Sequence, residues 1–230
     1  MPFSSFRRWL GIEIVEVSLA EKLVSVLGAG LALAALVGAA QLLPAAGGTA
    51  VLASMGASAV LLFAVPHAAL SQPWPVLGGH LLSAFVGVLC ARTIGNPALA
   101  AGCAVGLAIG TMHYLRCIHP PGGATALTAV LGGSAIRDLG FLYVLMPVLT
   151  NALAMLVLAV VINFLFPWRR YPAAFNRSTT QKAAIRSPLV PEPTHEEVIA
   201  ALRSLDSFVD ITEADLLRLL DLLRPSRSAE

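Results

Sequence analysis

The sequence predicts an all-α membrane protein: four full transmembrane helices plus two short half-helices, or six crossings, in an internal repeat, followed by a C-terminal soluble helical hairpin. Three observations carry this. Hydrophobic residues make up 57% of the 230 and charged residues only 12%, about half the roughly 25% charged share of a soluble domain. From Leu23 to Phe166 only Arg92, Arg116, Arg137 and Asp138 are charged, as expected of a segment embedded in a bilayer. Within that segment, two apolar runs are too short to cross unaided.

Residues 1–22 read as an interfacial amphipathic helix, with Phe6, Trp9, Leu10, Ile14 and Val17 near helical spacing and charges between them. No short apolar core with a small-residue cleavage site marks a signal peptide. Residues 23–168 form the transmembrane domain. Leu23 to Leu43 is a full helix, stopped by Pro44 and Gly47-Gly48. Val51 to Val65 reaches about 22 Å, short of a hydrocarbon core of roughly 30 Å, and is read as a half-helix. Val76 to Ala91 and Pro97 to Leu115, parted by the polar turn Arg92 to Asn96, form an antiparallel helical hairpin. Gly122 to Gly133 is a second short piece, and Gly140 to Phe166 a long final helix.

Residues 169–191 are a basic linker in which Arg169, Arg170, Arg177, Lys182 and Arg186 precede the first acid, Glu192. The positive-inside rule puts this end in the cytoplasm. With Arg7 and Arg8 at the other end, both termini are expected there, in a multi-pass protein of the cell (inner) membrane with an even number of crossings. Residues 192–230 are a cytoplasmic helical tail, with Thr194/Glu197 and Thr212/Asp215 as capping boxes and leucines at helical spacing. It is too small for its own core and is expected to dock on the membrane domain or on another copy, so a homo-oligomer stands as a candidate assembly.

Gly56-Ala57-Ser58-Ala59-Val60-Leu61 and Gly123-Ala124-Thr125-Ala126-Leu127-Thr128 align residue for residue. Each opens a short apolar helix flanked by full ones, which indicates duplication of a two-and-a-half-helix unit. Transporters often place their site between such repeats, where interrupted helices expose backbone groups.

The most unusual stretch is Leu115-Arg116-Cys117-Ile118-His119-Pro120-Pro121-Gly122-Gly123-Ala124-Thr125-Ala126. The prolines fix φ and break the helix, and the glycines permit close backbone approach. The helix that follows begins with unpaired N–H groups and the positive end of its dipole, a ready anion site. Ser58 behind Gly56 presents the same chemistry from the other repeat, so two half-helix ends are expected to converge on a small oxyanion near the bilayer middle. Arg116 and His119 either strengthen that attraction or take up a proton with the anion, an unperturbed histidine titrating at about 6.5; alternatively, Arg116 snorkels to the interface. His80 and Asn151 are polar groups at membrane depth, equally suited to a structural hydrogen bond or to substrate. No acid lies between Lys22 and Asp138, which disfavours cation pumping and acid–base catalysis. Cys90, Cys103 and Cys117 lack C-x-x-C spacing and read as small buried hydrophobes. His67, His113 and His195 carry no ligand spacing, so neither metal nor cofactor is expected, and nothing here suits nucleic acid.

The run His119-Pro120-Pro121-Gly122-Gly123-Ala124-Thr125-Ala126-Leu127 resembles the signature of the HPP family of integral membrane proteins, and Gly56-Ala57-Ser58 and Pro75 through His80 are similar to its members. The resemblance implies a bundle of four transmembrane helices and, from chloroplast and cyanobacterial relatives, nitrite transport. A transporter or channel for a small inorganic anion is therefore the expected function, with nitrite ahead of nitrate, formate or bicarbonate. The alternatives are a membrane scaffold or sensor acting through the acidic tail and, less favoured, an intramembrane enzyme.

Overall fold

The computed structural model describes residues 17–42 and 53–175, and from Lys22 on these belong to one compact unit. The interfacial helix up to residue 16, the stop at Pro44 to Gly48, most of the linker and the tail hairpin lie outside the described residues. The described chain is all-helical: α1 (Leu19–Leu42), α2 (Ser54–Ala64), α3 (Pro73–Thr93), α4 (Pro97–Tyr114), α5 (Pro121–Leu131), α6 (Ser134–Leu139) and α7 (Val144–Phe164). Of these, α1, α3, α4 and α7 are long and apolar enough to cross a membrane, whereas α2 and α5 are not.

Local chemistry sets the boundaries. Pro73 and Pro97 occupy first-turn positions, where a missing N–H costs nothing. The Asn96 side chain caps α4 by accepting from the N–H groups of Ala98 and Leu99, each at 3.0 Å. The final helix is shorter than expected. Gly140 at φ +52° separates it from α6, and its first turn, Val144–Leu149, is a π-helical stretch kinked at Met146 ahead of Pro147. Proline inside a helix removes a hydrogen bond and clashes with the preceding turn.

Contacts fix the direction of each segment. Ser25 on α1, Phe63 at the end of α2, Ser71 before α3 and Arg169 and Tyr171 after α7 are joined by hydrogen bonds, so these ends share one face, here called the terminal face. The end of α4 lies there too, since Trp74 Nε1 donates to the Leu115 carbonyl at 3.0 Å. The α3–α4 turn lies at the opposite face, where Arg92, in the last turn of α3, sits over the Phe141 ring, 5.9 Å from its centroid, beside the start of α7. The chain therefore crosses on α1, returns between Leu42 and Ala64, crosses again on α3, returns on α4, crosses between Leu115 and Gly140, and comes back on α7. Six passes result, with α2 and α5 each supplying part of one.

This makes the repeat an inverted one: α1–α2–α3 and α4–α5–α7 follow the same order in opposite directions, as three passes per unit demand. The two half-helices agree in detail. Each has 11 residues, and residues 53–64 and 120–131 follow the same sequence of buried, half-buried and exposed positions throughout. At the heart of the bundle α3 packs on both α4 and α5, and small residues let the backbones approach. A Cβ on Gly87 would lie 2.7 Å from the Ala126 carbonyl oxygen, and one on Gly79 would lie 2.5 Å from His119 Cβ.

A half-helix that stops inside a membrane domain must have its last carbonyls satisfied. For α2 three side chains do this. Ser71 Oγ donates to Leu61 O at 3.0 Å, Asn163 Nδ2 to Leu62 O at 3.1 Å, and the Arg169 guanidinium to Phe63 O. Arg169, read from sequence as the first residue of the linker, is 1% exposed. Tyr171, also buried, donates to Ser71 O at 2.7 Å, so the packed domain runs past Trp168.

Candidate functional site

The N-terminal turns of α2 and α5 lie side by side, and the residues between them form a closed polar cluster. Ser58 on α2 and Thr125 on α5 are the equivalent hydroxyls of the two repeats. His80 on α3 bridges them, with Nε2 at 2.8 Å from Ser58 Oγ and Nδ1 at 2.8 Å from Thr125 Oγ1. His119, in the break before α5, places Nε2 at 3.0 Å from Ser58 Oγ and Nδ1 at 2.9 Å from the Leu70 carbonyl. Ser54 Oγ lies 3.0 Å from Thr125 Oγ1, and Tyr143 donates to the Thr125 carbonyl at 3.0 Å. Ser58, His80, His119, Thr125 and Tyr143 are all fully buried. The two imidazoles meet edge-on with centroids 4.9 Å apart. His80 is seven residues into α3, about 10 Å at roughly 1.5 Å per residue, so the cluster sits nearer the terminal face than the expected middle.

Four of the expected site residues thus come together: Ser58, His80, His119 and Thr125. The expected cradle of bare amides does not form. Gly122 N–H donates to His119 O at 2.8 Å, Gly123 N–H to Pro120 O at 3.0 Å, and Gly56 N–H to Ala53 O at 3.0 Å. The prolines that break the helix have no N–H of their own, and they turn the chain tightly enough for the glycine amides to bond backwards. What the two repeats present to each other is side chains, not backbone.

The remaining expectations divide. Gly122 is a packing glycine, where a Cβ would lie 2.6 Å from Gly79 O, and Pro121 is buried beside it. Gly56 and Gly123 are half-buried, while Ala57, Ala124 and Pro120 point outward. Arg116 is exposed at the terminal face, with φ +54° in the turn that ends α4, as a snorkelling arginine would be. Asn151 is buried on α7.

Three contributors were not anticipated: Ser54, the Leu70 carbonyl and Tyr143. Ser54 could have been found, because it precedes Ser58 by one helical turn and shares its face. Among the described residues no three His, Cys, Asp or Glu side chains gather as a metal site would need.

Fold and site together define a polytopic helical membrane protein, an inverted repeat closed around a buried imidazole–hydroxyl cluster. Residues 14–172 match the family described as HPP, transmembrane region, and the chain belongs to that family. It is 42% identical over 125 residues to one transmembrane protein of Dictyostelium discoideum and 43% identical over 123 residues to another. Those matches cover 53% and 52% of this chain but only 40% and 43% of the relatives, so the chain matches less than half of their length. No solved structure matches the chain.

Proposed function

We propose that the protein is a transporter of a small inorganic anion, with nitrite as the expected cargo, and that the Ser58–His80–His119–Thr125 cluster is its central site. The observation that carries this reading is the juxtaposition of the two half-helices' first turns, one from each inverted repeat, around neutral donors with no carboxylate among them. Inverted repeats with broken helices suit alternating access, in which one half rocks against the other. An acid-free cluster suits an anion, because hydroxyl and imidazole protons can replace its water while no fixed negative charge repels it. In the closed cluster each side chain is bonded to another, so loading requires the Ser58–His119 and Ser58–His80 bonds to open. The terminal face, which carries Arg116, Arg169 and Arg170, is assigned to the cytoplasm.

The test is flux in proteoliposomes. Nitrite, nitrate, formate and bicarbonate are offered in turn, with protein-free liposomes as the background. Nitrite uptake above background is expected. Ser58→Ala and Thr125→Val should each lower it about tenfold, the value of roughly 1.4 kcal/mol of lost interaction, without changing the amount of folded protein. No flux for any of the four anions would overturn the proposal.

A further inference from the structure

The cluster has a direction, and its hydrogen bonds alone fix it. Leu70 O is a carbonyl and can only accept, so His119 Nδ1 carries a proton and donates to it at 2.9 Å. In the neutral ring Nε2 is then an acceptor, and the Ser58 hydroxyl must donate to it. Having given its one proton, Ser58 accepts from His80 Nε2–H. His80 Nδ1 is consequently bare and accepts from Thr125 Oγ1–H; with that one proton committed, the 3.0 Å contact between the Thr125 and Ser54 hydroxyls requires Ser54 to donate. Every bond from Ser54 to Leu70 points the same way.

We propose that this chain is a one-proton relay, in which a proton arriving at Ser54 leaves its charge on His119 and reverses every bond between them. The steps balance. Ser54 takes the incoming proton and passes its own to Thr125. Thr125 passes its proton to His80 Nδ1, His80 passes its Nε2 proton to Ser58, and Ser58 passes its own to His119 Nε2. No bond other than O–H and N–H is made or broken, and the net change is one proton gained. The charged state is also fully bonded: His119 Nε2–H donates to Ser58, Ser58 to His80 Nε2, and His80 Nδ1–H to Thr125. The Thr125 hydroxyl then turns to Ser54 Oγ or to Pro121 O, which waits 3.3 Å away. The relay stops at His119, because a carbonyl cannot pass a proton on.

Among the described residues the titratable groups around the cluster are few. They are His80 on α3, Tyr143, whose hydroxyl donates to the Thr125 carbonyl, and Cys117, whose backbone packs on Gly79 beside His119. Among the described residues nothing charged bonds to the cluster, so a stored proton supplies a positive charge for an anion there. Coupling of this proton to flux rests on the transport reading above, whereas the relay rests only on the count of donors and acceptors.

Two measurements keep those apart. Nitrogen-15 NMR of the full chain in lipid, with labelled histidine and His67, His113 and His195 replaced by Gln, reads the tautomers directly. Near neutral pH His119 should be protonated at Nδ1 and His80 at Nε2. On acidification both rings should change at one midpoint, His119 gaining Nε2–H while His80 moves its proton to Nδ1. In Ser58→Ala, His80 should keep its tautomer as His119 titrates. A His80 that holds Nε2–H in the wild-type chain throughout, that charges before His119, or that never responds overturns the relay. In nitrite-loaded proteoliposomes with a lumenal pH dye, one proton should accompany each anion above the protein-free background. Flux without a matching rise in lumenal pH overturns the coupling. Absence of flux overturns the transport reading and leaves the NMR result to decide the relay.

Discussion

Replacing Gly122 with alanine is expected to destabilise the membrane domain by about 3 kcal/mol, the upper part of the range for overpacking a filled site. The added methyl would lie 2.6 Å from Gly79 O and 2.8 Å from Ser83 Oγ. The nearer neighbour cannot withdraw cheaply: Gly79 O belongs to the backbone of the central helix α3, and Gly79 itself is wedged against His119. Separation of α3 from α5 would also pull His80 away from Thr125. The next residue provides the control. At Gly123 the same methyl meets only Val105 Cγ1, at 3.9 Å, and at Gly56 it meets nothing within 4 Å. Gly123→Ala and Gly56→Ala should leave stability unchanged or raise it by roughly 0.5–1 kcal/mol, the helix-propensity difference. Thermal unfolding in detergent compares the three. Equal losses at Gly122 and Gly123 would show that the close α3–α5 contact is not what requires glycine.

That contrast marks where sequence reasoning succeeds and where it stops. Run length and missing charge place α1, α3, α4 and α7 within a few residues, because a bilayer imposes those lengths. The two half-helices were also legible, since Pro120-Pro121 and the shared Gly-Ala-Ser/Thr motif mark where each begins. Pairing between helices was not. Glycine at Gly122 and at Gly123 reads alike along the chain, and only the arrival of α3 against one of them separates packing from free space. The same limit hid Tyr143 and the Leu70 carbonyl, whose partner Thr125 or His119 lies far along the chain. It also left the role of Asn151 open and made the amides of α5 look vacant, when a tight turn closes them locally. Arg169 shows the limit most plainly. In a run of basic residues it is indistinguishable from Arg170, yet one is buried and the other exposed.

Arg169→Met should therefore destabilise the protein by about 3–5 kcal/mol, whereas Arg170→Met should cost no more than about 1 kcal/mol. The guanidinium of Arg169 reaches three elements at once: Phe63 O at the end of α2, Asn163 Oδ1 on α7 at 3.1 Å and Ser25 Oγ on α1 at 3.2 Å. Hydrogen bonds from a charged donor are worth roughly 1.5–3 kcal/mol each, and the buried acceptors left behind carry a desolvation penalty of their own. Methionine fills the volume and supplies no donor. Lysine should rescue only a minor part, because an ammonium is a point charge and lacks the planar fork that spans separated acceptors. Arg170, by contrast, is exposed and lies over the Phe164 ring, 5.6 Å from its centroid, a contact worth roughly 0.5–1 kcal/mol at an exposed site. With Arg169 gone, α2 loses the cation at its carboxyl end and the clasp that holds α1 and α7 beside it. Protease sensitivity at the Val65–Gln72 connection should therefore rise before the whole domain unfolds. Equal stability losses for the two methionine variants would place the strength of this face elsewhere than in the buried guanidinium.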